Sequence, residues 1–330
     1  MSALPDLDLV REAAARIRGR VLRTPVQISR VLNEEFDCEL FFKCENLQEI
    51  GAFKARGATN AVFALDDETA NRGVVTHSSG NHGAALAFAA EQRGIPCAVV
   101  VPKNAPEVKL RNIQRFGAEI VFCEPSERAS TCARVAEERG ASIVHPFENP
   151  NVMAGQATAA LELCEDIEGL DTFVAPVGGG GLLSGTTVVA KSLLPNSQVI
   201  GAEPLAVDDA ARSMATGVRQ PRVENPVTAC DGLMTNLGEP NFEILQRHQV
   251  EVLTADEPAI QRAGIDLCRA LRVVVEPSAA VALAVMRGDP ERFAGRRVGV
   301  ILTGGNTDFS FLCAAVREVF NACPGDTTAS

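Results

Sequence analysis

The stretch AFKARG, residues Ala52–Gly57, is the most informative part of this 330-residue chain. It places Lys54 beside Phe53 and between small residues, a context that predicts the start of a helix. An isolated lysine is usually a solvent-exposed surface residue, but the small neighbours here permit close backbone packing around it. Packing of that kind would remove water from the amine and lower its pKa, as a nucleophilic lysine requires.

A second stretch, SSGNHG at Ser78–Gly83, follows the predicted strand Gly73–Thr76 and opens the predicted helix Asn81–Arg93. The free main-chain N–H groups at a helix N-terminus form an anion site, which suits a substrate carboxylate. The structural alternative is a serine helix cap followed by a glycine turn.

Four consecutive glycines, Gly178–Gly181, lie between the predicted strand Phe173–Val177 and a predicted helix at Leu182–Lys191. Consecutive glycine amides can point at one phosphate, and the helix dipole adds to the attraction. A nicotinamide-binding turn is the competing interpretation. It fails on spacing, because GxGxxG would require glycine at Leu183 or Ser184.

Thr303 follows the predicted strand Val298–Leu302 and is the first residue of TGGN. A hydroxyl at a strand end could meet a ring nitrogen, and unlike aspartate it would leave a pyridine nitrogen largely unprotonated. Together, the packed lysine, the anion turn, the glycine run and this hydroxyl predict an enzyme that holds pyridoxal 5'-phosphate as a Schiff base on Lys54.

Seven short runs of apolar and β-branched residues predict strands. They are Gly73–Thr76, Cys97–Val101, Glu119–Phe122, Phe173–Val177, Val199–Ala202, Val250–Leu253 and Val298–Leu302. Further helical periodicity occurs at Asn81–Arg93, Glu107–Phe116, Ser126–Glu138, Thr158–Asp166 and Pro258–Leu271. Strands that are apolar on both faces and separated by helix-length connections predict parallel sheets covered by helices, and therefore an α/β fold.

The segment 73–148 contains four strand–helix units in close succession, which predicts a small domain inserted into a larger one. The larger domain would comprise residues 1–72 and 149–330. The stretch Pro146–Asn151, rich in proline and asparagine, marks the predicted exit from the small domain. The tail Pro324–Ser330 is expected to be frayed.

The composition excludes several classes of function. A net charge of −11 without a basic block argues against nucleic acid or an acidic membrane surface as a partner. The sequence contains no apolar run of about 20 residues and no signal peptide, so we expect a soluble cytoplasmic protein. Its ten cysteines are scattered without a CxxC pair and are expected to be ordinary thiols. A small-molecule ligand is left as the expected partner.

These motifs resemble the fold-type II pyridoxal-phosphate enzymes, and within them the serine/threonine dehydratase and serine racemase group. The resemblance runs from about Val21 to Phe320. Further shared motifs are HP (His145-Pro146), AGQ (Ala154–Gln156), AEP (Ala202–Pro204), DG (Asp231-Gly232) and EPS (Glu276–Ser278). SSGNHG separates this group from the cysteine synthases, which read TSGNTG. The resemblance implies a tryptophan synthase β-like fold, with a large and a small open twisted sheet domain, and a homodimer.

Carried over residue by residue, the resemblance makes Lys54 the Schiff-base lysine and the base that removes the Cα proton. Ser79 is the candidate proton donor on the opposite face of the ring. Phe53 would lie beside the ring, Asn81 would bond its phenolic oxygen, and Thr303 would face its nitrogen. The residues implied for the phosphate are Gly178, Gly179, Gly180 and Gly181. Those implied for the substrate carboxylate are Ser78, Ser79, Asn81 and His82.

The metal site of the family also has a counterpart, in Glu203, Val207 and Asp209, directly after the predicted strand Val199–Ala202. Two carboxylates and a main-chain carbonyl, completed by water, suit a hard ion such as Mg²⁺ or Ca²⁺. A solvated acidic loop is the structural alternative for this stretch.

The chain departs from the family pattern in several places. Ala52 replaces the usual serine, which removes a hydroxyl near the substrate. Glu49 and Arg272 stand where mammalian racemases carry nucleotide-binding lysines, so activation by ATP is not expected. The arginine that meets a second substrate carboxylate in some relatives would fall near Ser130, with Arg128 two residues earlier. The sequence therefore predicts a substrate with one carboxylate.

The chemistry implied is β-elimination from a small β-hydroxy amino acid such as L-serine or L-threonine, which yields a 2-oxo acid and ammonia. Serine racemase and 3-hydroxyaspartate dehydratase are the alternatives within the family. A binding protein without catalysis is disfavoured because Lys54 and Ser79 are both intact. The short stretch after TGGN leaves no room for a regulatory domain, so feedback by isoleucine is not expected.

Overall fold

The computed structural model describes residues 4–105, 107–307 and 313, in which the chain forms two β-sheets with helices packed against them. The ten strands, numbered in chain order, are β1 (Val26–Gln27), β2 (Glu39–Cys44), β3 (Val74–Thr76), β4 (Cys97–Pro102), β5 (Glu119–Cys123), β6 (Ser142–Ile143), β7 (Thr172–Pro176), β8 (Gln198–Pro204), β9 (Glu251–Ala255) and β10 (Arg297–Leu302). The predicted α/β class is confirmed. The predicted tail, Pro324–Ser330, lies outside the described residues.

The larger sheet has six strands in the order β1-β2-β10-β7-β8-β9. The short strand β1 is antiparallel to β2, and the other neighbours are parallel. Val298 of β10 sits opposite Leu40 on one side and Thr172 on the other. Because β7 and β10 are parallel neighbours, the residues that follow them emerge at the same edge of the sheet, where ligands of open α/β sheets bind.

The smaller sheet has four parallel strands in the order β5-β4-β3-β6. All four lie within 73–148, the segment predicted as the inserted domain, although the boundaries of the two domains remain a prediction. β3 lies between two neighbours and is buried along its whole length. Its carboxyl end leads directly into Ser78–Gly83.

Thirteen α-helices lie within the described residues. They are α1 (Leu7–Ile17), α2 (Arg30–Phe36), α3 (Lys54–Phe63), α4 (Asp67–Asn71), α5 (Asn81–Arg93), α6 (Glu107–Gln114), α7 (Arg128–Arg139), α8 (Pro150–Asp166), α9 (Gly181–Leu193), α10 (Asp209–Thr216), α11 (Glu239–Arg247), α12 (Glu257–Leu271) and α13 (Pro277–Gly288). No helix in this part of the chain is long and apolar enough to cross a membrane.

Helix α3, which begins at Lys54, packs unusually closely against α8 through two glycines. A Cβ on Gly57 would lie 2.6 Å from the Val152 carbonyl oxygen, and one on Gly155 would lie 2.6 Å from the Gly57 Cα. Only glycine permits this approach, so the packing fixes the position of the start of α3 against α8.

A buried ion network holds the same end of α3. The fully buried guanidinium of Arg56 donates to the Glu45 carboxylate at 2.7 and 2.8 Å and to the Glu162 carboxylate at 2.7 and 2.8 Å. Lys43 Nζ, also buried, lies 2.7 Å from Glu162. These paired charges hold the Arg56 side chain in one orientation, because a planar guanidinium between two carboxylates has little freedom to shift. Lys54, two residues earlier, therefore stands on a rigid base.

All seven predicted strands are present, and none of their ends differs from the prediction by more than two residues. The sequence prediction missed β1, β2 and β6. The pattern ELFFKC of β2 does not resemble a buried strand, because a lysine in it suggests an exposed position. Lys43 is nevertheless buried, and its charge is paired with Glu162 in the ion network. Helix α8 begins at Pro150 and not at Thr158, since the Asn149 side chain caps it and proline is tolerated in the first helical turn.

Candidate active site

Lys54 is the first residue of α3, as predicted, and its amine reaches a neighbouring loop. Nζ donates to the Pro146 carbonyl oxygen at 2.9 Å and lies 5.1 Å from the centre of the Phe53 ring. Loss of hydration lowers the pKa of Lys54 to about 8, and no carboxylate among the described residues pairs with the amine to oppose that shift. A large fraction of the amine is thus neutral near pH 8, which makes it a nucleophile and a base.

Thr303 follows β10 and lies beside this lysine. Its carbonyl oxygen accepts a hydrogen bond from the Phe53 N–H at 3.0 Å. Its hydroxyl is buried and finds no hydrogen-bond partner among the described residues. A buried polar atom without a partner is unusual in a folded protein and is the kind of group that a bound ligand completes. A ring nitrogen would complete it in the manner predicted from the sequence.

The glycine run Gly178–Gly181 forms the turn between β7 and α9. Gly180 has φ +90°, and no side chain caps the helix that begins at Gly181. A Cβ on Gly179 would lie 2.3 Å from the ring of Phe147, the residue after the carbonyl that holds Lys54. The turn therefore packs against the loop that receives Lys54, and its uncapped main-chain N–H groups can receive an anion.

The loop Ser78–Gly83 makes the turn from β3 into α5. Ser78 and Ser79 are half-buried, and neither hydroxyl forms a hydrogen bond with another described residue. Gly80 precedes the helix and supplies no capping side chain. Two available hydroxyls and the open end of a helix are thus presented together, an arrangement that suits a carboxylate.

His82, the last of the four residues implied for the substrate carboxylate, is the second residue of α5. Its imidazole is buried and turned away from the loop, with Nε2 3.0 Å from the Val144 carbonyl oxygen. Burial, together with the nearby Lys54 amine, lowers the pKa of His82 to about 3, so the ring is neutral. Nδ1 of the ring has no hydrogen-bond partner among the described residues, and the main-chain N–H of His82 lies in the first turn of α5, where it could contact a substrate carboxylate.

The Asn81 side chain is held by two residues to which the sequence prediction gave no role. Its Nδ2 donates to the Glu276 carboxylate, 3.1 Å from each oxygen, and its Oδ1 accepts from Asn306 Nδ2 at 2.9 Å. Burial raises the pKa of Glu276 to about 7, opposed by the bond from Asn81. The EPS and TGGN motifs contain these residues, but their sequence carries no sign that the two side chains meet Asn81.

Arg128 and Ser130, the two positions considered for a second substrate carboxylate, both lie in the first turn of α7. Ser130 is exposed, and its hydroxyl bonds the Glu127 carbonyl oxygen. Arg128 is the first residue of the helix and points the other way, so that Nη2 donates to the His77 carbonyl oxygen at 2.6 Å. The expectation of a single carboxylate rests on Ser130 standing where some relatives carry an arginine, and it stays a prediction.

The predicted metal ligands lie together at the end of β8. The Glu203 carboxylate accepts from the Ala210 and Ala211 N–H groups at 3.0 and 2.8 Å, and Asp209 Oδ2 accepts from the Leu237 N–H at 2.9 Å. Burial raises the pKa of Glu203 to about 8 and that of Asp209 to about 6. The described residues contain no group of three or more acidic, histidine or cysteine side chains placed for a metal, so an ion here would rely on two carboxylates, a carbonyl and water.

The residues present fit pyridoxal phosphate on three observations of this structure. The Lys54 amine has a lowered pKa, the Thr303 hydroxyl is buried without a hydrogen-bond partner in the described part of the chain, and no side chain caps the N-terminus of α9 after the glycine turn. The amine would bind the aldehyde of that molecule, the hydroxyl its ring nitrogen, and the glycine turn its phosphate.

Comparison with known proteins gives consistent matches. Residues 17–304 match the family model described as pyridoxal-phosphate dependent enzyme. The chain is 48% identical over 311 residues to the beta-hydroxyaspartate dehydratase of Paracoccus denitrificans, covering 94% of this chain and 98% of that protein. The crystal structure of serine racemase from Dictyostelium discoideum is similar with a TM-score of 0.88 and 44% identity, over 93% of this chain and all of that one. The processed form of threonine deaminase isoform 2 from Solanum lycopersicum is similar with a TM-score of 0.87 and 26% identity, over 95% and 94% of the two chains.

Proposed function

Because the chain belongs to the pyridoxal-phosphate dependent enzyme family, we propose that it converts a β-hydroxy amino acid into a 2-oxo acid and ammonia by β-elimination, with 3-hydroxyaspartate as its preferred substrate. The observation that carries the choice of substrate is Arg128, a cation beside the loop Ser78–Gly83 that forms no ion pair with any carboxylate among the described residues. L-Serine and L-threonine are the alternative substrates that lack a second carboxylate.

Lys54 would hold the cofactor and then act as the base. Bound pyridoxal phosphate supplies an electron sink that makes the Cα–H bond of an amino acid acidic. The Lys54 amine, with its pKa lowered to about 8, can accept that proton once it is neutral, which a large fraction of it is near pH 8. The Pro146 carbonyl gives the amine a fixed resting position at 2.9 Å. Thr303 and the glycine turn would hold the opposite ends of the cofactor.

The substrate α-carboxylate would bind at the loop Ser78–Gly83. The hydroxyls of Ser78 and Ser79 form no bonds to other described residues, and the α5 N-terminus has no capping side chain. Asn81 is held in place by Glu276 and Asn306, so its position does not depend on the substrate. A carboxylate fixed in this way orients Cα for proton removal.

Arg128 would bind the second carboxylate of 3-hydroxyaspartate. Burial lowers the pKa of the guanidinium, nearby Arg222 adds to the effect, and Nε is buried without a partner among the described residues. No carboxylate in the described part of the chain forms an ion pair with Arg128. A partly buried cation with unused donors is costly unless a ligand completes it. Its bond to the His77 carbonyl places it directly before Ser78.

A substrate panel tests the proposal. The purified holoenzyme is assayed for ammonia and 2-oxo acid with the 3-hydroxyaspartate diastereomers, L-serine and L-threonine, each over a range of concentrations. The proposal requires that kcat/KM be highest for a 3-hydroxyaspartate diastereomer. A higher value for L-serine or L-threonine would return the enzyme to the monocarboxylate class.

Racemisation is a second candidate activity, because the Ser79 hydroxyl is available beside the loop and serine racemase from Dictyostelium discoideum is a close structural relative. After removal of the Cα proton, racemisation needs a proton donor on the ring face opposite the base, whereas elimination needs the β-hydroxyl to leave. Ser79 is the residue we propose for that step. The homodimer and the cytoplasmic location remain predictions.

Replacement of Ser79 by alanine is expected to impair racemisation more than elimination. A positioned acid or base is typically worth about 10²–10⁴-fold in rate, and only racemisation uses one on the second face. Chiral analysis of L-serine turnover beside a 2-oxo acid assay measures both activities in one sample. Ser78→Ala is the matched control and should lower both activities in the same proportion. An equal loss of both in Ser79→Ala would assign Ser79 to carboxylate binding.

We also propose that Glu203, the Val207 carbonyl and Asp209 hold Mg²⁺ or Ca²⁺. The two carboxylates are buried and neither pairs with a cationic side chain among the described residues. Oxygen ligands supplemented by water are the coordination these ions take. A cation would favour the charged forms of the two carboxylates, whose pKa values burial raises.

Removal of the divalent ion is expected to lower the melting temperature by roughly 5 °C, because an ion that binds only the native state stabilises it by mass action. The measurement is thermal unfolding with chelator and after addition of Mg²⁺ or Ca²⁺. Asp209→Ala should no longer respond, whereas Asp208→Ala, whose carboxylate pairs with Arg212 at 2.8 Å, should respond like the wild type. A wild-type protein indifferent to chelator would refute the site.

A further inference from the structure

Asn241 is a fully buried residue of α11 with no role in the site described above. Its Nδ2 donates to the Gly179 carbonyl oxygen at 2.8 Å and to the Phe147 carbonyl oxygen at 2.9 Å. Two carbonyl acceptors can be served only by the NH₂ group, so the orientation of the amide is determined by its partners. The Asn241 main chain is fixed as well, since Ser184 Oγ of α9 donates to its carbonyl oxygen at 3.3 Å.

The bond to Gly179 determines which way one peptide of the glycine turn faces. The same carbonyl also accepts from the Gly238 N–H at 3.1 Å, so two donors draw it towards the start of α11. In a trans peptide the carbonyl of one residue and the N–H of the next point in opposite directions. The N–H of Gly180 is therefore directed away from α11 and into the turn. Glycine residues would otherwise permit this peptide to rotate.

The bond to Phe147 connects the same amide to the lysine. The Phe147 ring lies over Gly179, and the residue before it, Pro146, accepts the hydrogen bond from Lys54 Nζ at 2.9 Å. Asn241 thus holds two adjoining backbone segments, the glycine turn on one side and the loop that receives Lys54 on the other. No other side chain in the described part of the protein donates to both segments.

We infer that Asn241 is a positioning residue for the cofactor, which aims the Gly180 N–H at the phosphate and keeps the turn in register with the Lys54 loop. The inference rests on the proposed placement of the phosphate at Gly178–Gly181. It assigns Asn241 no contact with substrate or with reacting atoms.

The test compares the binding of pyridoxal 5'-phosphate with that of pyridoxal, which has the same ring and aldehyde but no phosphate. Apo-protein of the full chain is titrated with each compound, and dissociation constants are taken from the absorbance of the bound form. Asn241→Asp is nearly isosteric, removes both N–H donors and turns a carboxylate towards two carbonyls. Asn241→Ala removes the donors without adding charge. Gln246→Glu, an exposed amide-to-acid change on the same helix, controls for charge.

Both Asn241 variants are expected to lose about tenfold or more in affinity for pyridoxal 5'-phosphate, since a lost hydrogen bond to a buried or charged group has that scale. Affinity for pyridoxal should fall less, and Gln246→Glu should match the wild type in both. Equal losses for the two compounds, or no loss, would overturn the inference. Failure of both variants to give folded apo-protein, checked by thermal unfolding, would also overturn it in favour of a role in the fold.

A further variant separates this inference from the placement of the phosphate. In Gly180→Ala the new Cβ would lie 2.5 Å from a Leu237 methyl carbon, and the residue would have to keep φ +90°, so the turn must distort. If Gly180→Ala loses the preference for the phosphate-bearing compound while the Asn241 variants keep it, only the role of Asn241 fails. If Gly180→Ala also keeps that preference, the phosphate binds elsewhere.

Discussion

Replacement of Lys54 by alanine is expected to lower turnover by at least about 10⁴-fold, because the variant loses both the covalent attachment of the cofactor and the base that removes the Cα proton. The visible absorption band of the lysine-bound cofactor should disappear with the activity. Ammonia release from 3-hydroxyaspartate and the absorption spectrum of the purified protein measure the two effects separately.

Lys103→Ala is the control for Lys54→Ala. Lys103 is an exposed lysine whose Nζ lies 2.6 Å from the Glu124 carboxylate, so its loss should leave the spectrum and the turnover unchanged. Borohydride reduction of the wild-type holoenzyme followed by peptide mass analysis should place the cofactor on the peptide that contains Lys54. A Lys54→Ala protein that is yellow and active, or a label on another lysine, would remove Lys54 from the site.

The positions of the main functional stretches could be predicted from the sequence because each follows a strand. Gly178–Gly181 comes after β7, Thr303 after β10 and Ser78–Gly83 after β3. The carboxyl ends of parallel strands lie at one edge of a sheet, so a strand followed by glycine or hydroxyl residues predicts both the location and the chemistry. Lys54 was predictable for a different reason, since its small neighbours indicated close packing, which Gly57 and Gly155 provide.

Other parts of the site depend on side-chain directions that no local pattern encodes. Glu276 and Asn241 reach Asn81 and Gly179 from elements 195 and 62 residues away along the chain. His82 lies within a recognisable motif, but its ring turns to Val144 because the interior offers a carbonyl acceptor there. Periodicity shows which residues are buried and gives no information on which partner a buried polar group will find.

Arg128 shows how a small uncertainty in a helix start changes a functional conclusion. The sequence predicted a helix from Ser126, whereas a short 3-10 turn covers Pro125–Glu127 and α7 begins at Arg128. The first residue of the helix then points towards His77, and Ser130 faces solvent. Neighbouring positions on a helix are about 100° apart, so residues two positions apart, such as Arg128 and Ser130, point in nearly opposite directions.

Replacement of Arg128 by alanine is expected to lower kcat/KM for 3-hydroxyaspartate by about 10²-fold, the scale of a lost hydrogen-bonded charge pair in a partly desolvated site. Turnover of L-serine should be unchanged or improved, because that substrate has no second carboxylate to leave unpaired. The two specificity constants, measured on the same preparations, give a ratio that is insensitive to the fraction of active enzyme.

Two further substitutions separate charge from loop anchoring, since Arg128 also donates to the His77 carbonyl. Arg128→Gln retains a donor for that carbonyl but carries no charge, and Arg128→Lys retains the charge without the planar fork. If Arg128 binds the second carboxylate, Arg128→Gln should have as low a kcat/KM for 3-hydroxyaspartate as Arg128→Ala, and Arg128→Lys should recover part of the loss. Arg134 lies on the same helix and pairs with Glu138 at 2.7 Å, and Arg134→Ala should leave kcat/KM unchanged for both substrates. Suppose instead that Arg128→Gln regains kcat/KM for 3-hydroxyaspartate and that Arg128→Ala loses as much kcat/KM for L-serine as for 3-hydroxyaspartate. Arg128 would then support the loop, and other residues would determine the choice of substrate.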